Sequence, residues 1–297
     1  MSLEGTARVA ANRRGILFIS AAMACLISND ALMKYVGQTM PLAQLIFVRG
    51  LIATVLVLAV AHMLGATARI GDVVSGPVAV RALLDATGSL LYLWSLLYLP
   101  IGNATAINLA APIFMTLFAT MFMQEKAGLQ RWLSIGLGFI GVVLIVQPRA
   151  DGFNGYALIC LLATLFQAGR ELLTRRIDER VPSIVVALAS VMALSVIAGA
   201  ISLIQGWRSL GWFELSLLAL AASLLATGYY FVVNSMRHGE LAIVAPFRYT
   251  GLIFAVVLGY VVWGDVPNVL AWCAIVLLFA VGLHMLHSDR LPGRSSA

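Results

Sequence analysis

The chain has 297 residues, of which 61% are hydrophobic and 11% charged, with a mean hydropathy of +0.97 and a net charge of +6. A soluble domain carries about 25% charged residues, so a water-soluble globular fold is excluded, and long apolar runs between short polar breaks point to a polytopic membrane protein. The basic residues lie in short loops at helix ends rather than in one patch, which argues against a nucleic-acid partner.

The first apolar segment is long enough to be a retained span, and no charged n-region with a short apolar core and a small-residue cleavage site is visible. Ten segments can each cross a bilayer, near 15–34, 41–64, 77–97, 101–123, 130–147, 155–174, 182–204, 213–236, 241–263 and 267–287. In hydrocarbon a backbone must satisfy its own hydrogen bonds, so these are helices. A β-barrel would need alternating segments of about ten residues, whereas these runs are apolar on all sides. The expected fold class is therefore all-α integral membrane. Cys25, Cys160 and Cys273 sit one by one in apolar runs without ligand spacing and read as small core residues.

Arg8, Arg13, Arg14, Arg69, Lys126, Arg131, Arg175, Arg176, Arg180, Arg237, Arg290 and Arg294 fall on one side of these spans, and only Lys34, Arg149 and Arg208 on the other. That asymmetry predicts a multi-pass protein of the bacterial inner membrane with both termini in the cytoplasm.

Sliding the sequence by 140 positions lays Ala86-Thr87-Gly88 onto Ala226-Thr227-Gly228 and pairs Ser95 with Ser235, Phe114 with Phe254 and Trp132 with Trp272. A fixed-period match of this kind marks an internal duplication, here 15–147 and 155–288. Five helices per copy is an odd number, so the second copy must enter the membrane inverted. Inverted repeats around a midplane site are a secondary-transporter architecture. Ser134, Gly136, Gly138 and Gly141 in the fifth span let helix backbones approach closely.

The informative residues are the polar ones inside spans, since a charge at a span centre costs about 2.5–3.5 kcal/mol on insertion scales and so faces a cavity or a partner. In span 1, Asp30 and Lys34 are four apart and able to pair, either as a snorkelling cation with its counter-ion or as part of a gate. Arg49 in span 2 is within reach of Asp30 across the hairpin. In span 3, Arg81, Asp85, Gly88, Tyr92 and Ser95 form one stripe, with Arg81 structural and Asp85 a candidate for a cation or a coupling proton. The repeat counterpart of Asp85 is Leu225, and the matching stripe in span 8 is Thr227, Tyr230, Asn234 and Arg237. Gln167, Arg170, Glu171 and Thr174 share a face of span 6, and Arg170 occupies the counterpart position of Asp30. In span 9, Pro246 precedes Arg248 and Tyr249, an arginine near a broken turn that suits a carboxylate-bearing ligand or a distant acid such as Asp85.

No enzyme signature competes. His62, His238, His284 and His287 lack metal-shell spacing, and neither a nucleophile motif nor a phosphate-binding loop is present. No cofactor or metal is expected, and the energy for any transport would come from a gradient or from exchange.

Two five-helix copies whose fourth helices end in an acid, Gln124-Glu125 and Gly264-Asp265, resemble the EamA-type branch of the drug/metabolite transporter superfamily. The resemblance also rests on Asn29-Asp30-Ala31-Leu32-Met33-Lys34, Phe47-Val48-Arg49-Gly50, Ala111-Pro112-Ile113-Phe114 and Gly136 to Leu144, and covers about residues 15–288. It implies ten helices with helices 3, 4, 8 and 9 around a central cavity. It also implies exporters of amino acids, aromatic ones among them, or importers such as S-adenosylmethionine permeases. One departure is Thr250-Gly251-Leu252, which stands where the first copy has Ala110-Ala111-Pro112.

The expectation is thus a secondary transporter of small polar or amphipathic metabolites, first an amino-acid exporter and second an uptake permease or exchanger for a nucleoside-bearing cofactor. A third reading is a membrane scaffold whose buried charges serve packing. Candidate substrate contacts are Asp85, Tyr92, Ser95, Asn108, Met115, Tyr230, Asn234, Arg248 and Tyr249. Candidate gate or ion-pair residues are Asp30, Lys34, Arg49, Gln167, Arg170 and Glu171. The expected partners are the lipid bilayer, a small-molecule substrate and protons, with the protein a monomer or weak dimer.

Overall fold

The computed structural model describes residues 3–122, 129–146, 155–174, 176–178, 180–238 and 244–288. Their regular structure is helical throughout. The α-helices are α1 (Leu3–Gly37), α2 (Leu42–Met63), α3 (Gly76–Tyr98), α4 (Ile101–Asn108), α5 (Ala111–Phe122), α6 (Leu129–Val146), α7 (Tyr156–Thr174), α8 (Ser183–Gln205), α9 (Trp212–His238), α10 (Thr250–Trp263) and α11 (Val269–Ser288). Two 3-10 segments, Ala66–Val74 and Ala245–Tyr249, join them. Stretches 11–37, 42–63, 156–174, 183–205 and 212–232 are long and apolar enough to cross a membrane. The 23 residues of α3 match that length but carry Arg81 and Asp85.

The ten expected spans are present, two of them interrupted. The fourth is α4 and α5, with the chain turning at Leu109–Ala110. Pro112 has no N–H to give the carbonyl of Asn108, so the helix cannot run through this point. The ninth opens as the 3-10 segment that contains Pro246 and becomes α-helical at Thr250. The two junctions, Leu109–Ala110 and Tyr249–Thr250, are repeat counterparts although the prolines responsible are not. Residues 241–243 and the acid Glu125 lie outside the described residues, as does the whole linker 148–154 between the copies. The 3-10 segment at Ala66–Val74, folded into the loop after α2, has no counterpart in the sequence reading.

The chain forms two compact units, each containing parts of both copies. One comprises residues 28–99 and 155–226, the other 1–27, 100–154 and 227–297. In the first, α3 packs on α7 and α8, and α2 packs on α8. Helices α2 and α8 are repeat counterparts, and their contacts run in opposite senses. Phe47 lies against Gly199, Gly50 against Ser195, and Val57 and Ala61 share a cluster with Ile184, Val185 and Leu188. Rising numbers on one helix meet falling numbers on the other, so the second copy of this helix is inverted relative to the first.

The second unit repeats the arrangement: α4 of the fourth span packs on α10 of the ninth, and α6 packs on its repeat counterpart α11. Ile101 meets Gly259 and Gly102 meets Val256, again antiparallel. The small residues of α6 serve close packing as expected: Gly138 lies against Ile113 and Gly141 against Leu278, whereas Gly136 faces open space. The duplication is legible even at single contacts. Gly88 abuts Phe166 in the first unit, and its counterpart Gly228 abuts Leu26, the counterpart of Phe166, in the second. Of the cysteines, Cys160 is buried and Cys25 half-buried as expected, but Cys273 is exposed, on the outward face of α11.

Candidate functional site

Two polar clusters lie within the first unit. One gathers around Asp85, which is buried on α3. Arg170 Nη1 from α7 donates to Asp85 Oδ1 at 2.6 Å, and Arg81 Nη1 reaches Asp85 Oδ2 at 3.5 Å. Arg170 Nη2 also pairs with Glu171 Oε1 at 2.7 Å. Arg81 donates further to Ser190 Oγ of α8 at 2.6 Å and to Thr174 Oγ1 at 3.0 Å. A carboxylate accepts up to four hydrogen bonds and a guanidinium donates five, so the cluster holds its charges by mutual pairing. What allows it is the close approach of α3 and α7 at Gly88, where an added Cβ would sit 3.1 Å from Phe166 Cβ. Gln167 packs at the same glycine.

The other cluster, around Asp30, joins the first three spans. Tyr92 Oη of α3 donates to Asp30 Oδ2 at 3.1 Å, and Asn29 Nδ2 donates to Asp30 Oδ1 at 2.9 Å. Arg49 Nη1 from α2 donates to Asn29 Oδ1 at 3.0 Å. The expected approach of Arg49 to Asp30 across the hairpin is therefore built through the amide of Asn29. Lys34 does not turn back to Asp30; its ammonium donates to the carbonyl of Leu99. The last carbonyls of a helix lack intrahelical donors and carry its negative end, which makes them good partners for a cation in an apolar setting. Ser95 is fully buried and donates to the carbonyl of Tyr92 at 2.8 Å.

The remaining candidates belong to the second unit and stand differently. Arg248, on the 3-10 segment, is exposed, and so is Tyr230 on α9. Asn234, one turn on, donates to the Tyr230 carbonyl at 2.9 Å. Asn108 and Met115 are half-buried on either side of the break in the fourth span. Tyr249 is buried and meets Phe279 of α11 edge-on at 5.2 Å. A cleft between α4 and α10 is lined by Gly102, Asn103, Val256 and Asp265. Asn103 Oδ1, Thr105 Oγ1 and Ser235 Oγ in this unit are buried with no hydrogen-bond partner among the described residues.

The structure thus brings Asp85 together with Arg170 and Glu171, and Asp30 with Tyr92 and Arg49. Sequence reasoning passed over Asn29 as a bridge and Ser190 as a partner of Arg81. Ser190 could have been suspected as a hydroxyl in an otherwise apolar helix and as the repeat counterpart of Gly50. Gln44 was passed over as well: its side chain donates to the Arg208 carbonyl at 2.7 Å and accepts from the Arg208 N–H at 3.0 Å.

The EamA-like transporter family matches residues 13–147 and 154–285, one match in each copy. A riboflavin transporter of Rhizobium johnstonii is 29% identical over 219 residues, 73% of this chain and 72% of its own. An S-adenosylmethionine uptake transporter of Rickettsia felis is 23% identical over 89% of both chains. The pseudopaline exporter CntI of Pseudomonas aeruginosa is 26% identical over 90% of this chain and 93% of its own. A crystal structure of 18% identity superposes with a TM-score of 0.64 over 95% of this chain and all of the other, a likeness of fold. With both copies matched across nearly their whole length, the chain belongs to the EamA-like transporter family, within the drug/metabolite transporter superfamily.

Proposed function

We propose that this membrane transporter moves an amphipathic metabolite with a planar ring and an anionic or zwitterionic group across the bacterial inner membrane by alternating access. The observation that carries the reading is the contrast between the units. The charges around Asp85 in the first are paired with one another, whereas the second exposes Arg248 and Tyr230; among the described residues its buried Asn103 Oδ1, Thr105 Oγ1 and Ser235 Oγ have no hydrogen-bond partner. A guanidinium binds a carboxylate or phosphate with two parallel hydrogen bonds, and a phenol ring offers a stacking face. Buried polar atoms without protein partners call for a water or a ligand.

Riboflavin and S-adenosylmethionine, the solutes in the names of two relatives, each carry a planar heterocycle. They favour a ring-bearing cofactor or nucleoside-like solute over the plain amino acids first expected, with aromatic amino acids the second reading. The test is purified protein in proteoliposomes offered riboflavin, S-adenosylmethionine, and aromatic and aliphatic amino acids. Ring-bearing solutes should cross faster than through protein-free vesicles, and Arg248→Ala should slow the anionic or zwitterionic ones at least tenfold. Movement of aliphatic amino acids alone, or of nothing in the panel, would sink the proposal.

A further inference from the structure

Asp30 and Asp85 both lie within helices of the first unit, and their surroundings differ in what decides whether a carboxyl can exchange a proton. Asp85 is buried and bound by two guanidinium groups, those of Arg170 and Arg81. A proton on Asp85 would strip the acid from two fixed cations, a costly step in a low-dielectric interior.

Asp30 is half-buried, and its hydrogen bonds come from neutral donors, the Tyr92 hydroxyl and the Asn29 amide. The charged groups that face it are few. Lys34, one turn along α1, is turned to the Leu99 carbonyl, and Arg49 from α2 donates to Asn29 Oδ1 while its charge acts on the Asp30 carboxylate. From α3 comes Tyr92, and the repeat explains what α9 fails to supply. The Asp85–Arg170 pair maps under the duplication onto Leu225 and Asp30, so where one carboxylate has an arginine the other has a leucine as counterpart. A phenol hydroxyl donates to a carboxylate and equally accepts from a carboxylic acid. Protonation of Asp30 therefore breaks none of these ion pairs and asks only that a hydroxyl rotate, with Arg49 as the cation against which the proton exchanges.

We infer that Asp30, held between Tyr92 and Asn29, takes up and releases the coupling proton of the transport cycle, while Asp85 stays ionised as a strut. This rests on the proposed transport function, so the experiment has one arm that needs no substrate. Purified wild-type protein in lipid is treated with dicyclohexylcarbodiimide, a lipid-soluble reagent that adds only to a protonated carboxyl, and the adduct is located by peptide mass spectrometry. Asp30 should be labelled, with labelling falling as the pH is raised, and Asp85 should stay unmodified. Labelling of Asp85 in preference, or none at Asp30 at any pH, overturns the inference.

The second arm uses vesicles with an internal pH dye and the solutes that the wild type moves. Asp30→Asn keeps an acceptor for Tyr92; it should retain exchange of labelled for unlabelled solute and lose proton movement. An Asp30→Asn protein that still moves protons with solute overturns the inference. A wild type that moves no solute but shows pH-dependent label at Asp30 sinks the transport reading and leaves the protonation site standing.

Discussion

Asp85 shows how a single residue is read differently once its neighbours are known. On α3 alone its helical neighbour of opposite charge is Arg81, four residues back, and the sequence reading looked to Arg248 for a further partner. The structure supplies Arg170 from α7 at 2.6 Å, with the Asp85 side chain 6% and the Arg170 side chain 20% exposed. Breaking a buried pair by removing one member costs about 3–5 kcal/mol, whereas removing both costs less. Arg170→Ala should fall at the low end, since Arg81 remains on Asp85, and should appear as a lower unfolding temperature of the detergent-solubilised protein. The double variant Asp85→Asn, Arg170→Gln should recover most of that loss. If the single variant is as stable as the wild type, the pair is not a strut. That Asp85 and Arg49 are buried charges was legible from the sequence, whereas Arg248, expected deep in its span, is exposed; which cation faces which acid was not legible. That depends on the α3–α7 crossing at Gly88, and a crossing angle is not written in the spacing of one helix.

At the scale of the element, the spans were legible because their length and polarity are set by the bilayer, and the inversion followed from an odd helix count. The interruptions were half-legible. Pro112 and Pro246 both announce a break, but that the breaks fall on counterpart positions emerges only from the backbone. The packing of α6 yields a sharper expectation. A Cβ on Gly141 would come within 2.8 Å of Leu278 Cγ and one on Gly138 would collide with Ile113, whereas Gly136 has room. Overpacking costs about 1–3 kcal/mol, while Gly→Ala in a helix interior gains up to about 1 kcal/mol. Gly138→Val and Gly141→Val should therefore lower the thermal stability of the purified protein, and Gly136→Ala should hold or raise it. Equal losses at all three positions would mean that α6 packs on another face.

At the scale of the whole molecule, the charge asymmetry that predicts cytoplasmic termini acquires a structural basis within the first unit. Ala66 packs with Ile184, Val185 and Leu188, so the 3-10 segment bearing Arg69 lies at the same end as the start of α8, just after Arg176 and Arg180. At the other end of α2, Gln44 is bonded to Arg208 through both backbone groups, and the Arg208 guanidinium donates to the Thr39 carbonyl at 2.6 Å. Lys34 is likewise committed to a helix-end carbonyl. Lys34 and Arg208 at this end are thus bound to the protein's own carbonyls. The other end carries Arg69, which pairs with the half-exposed i,i+3 Asp72 at 3.4 Å. Free positive charge is retained on the cytoplasmic side during insertion, so the end with Arg69, Arg176 and Arg180 should face the cytoplasm and the Arg208 loop the opposite side. The check uses single cysteines at the exposed positions Ala68→Cys and Ser209→Cys, in a background with Cys25, Cys160 and Cys273 replaced. In intact cells stripped of an outer barrier, a membrane-impermeant maleimide should modify Cys at 209 at once and Cys at 68 only after the membrane is permeabilised. The reverse pattern would place the termini outside, with the Asp85 cluster nearer the outer face and the Asp30 cluster nearer the cytoplasm.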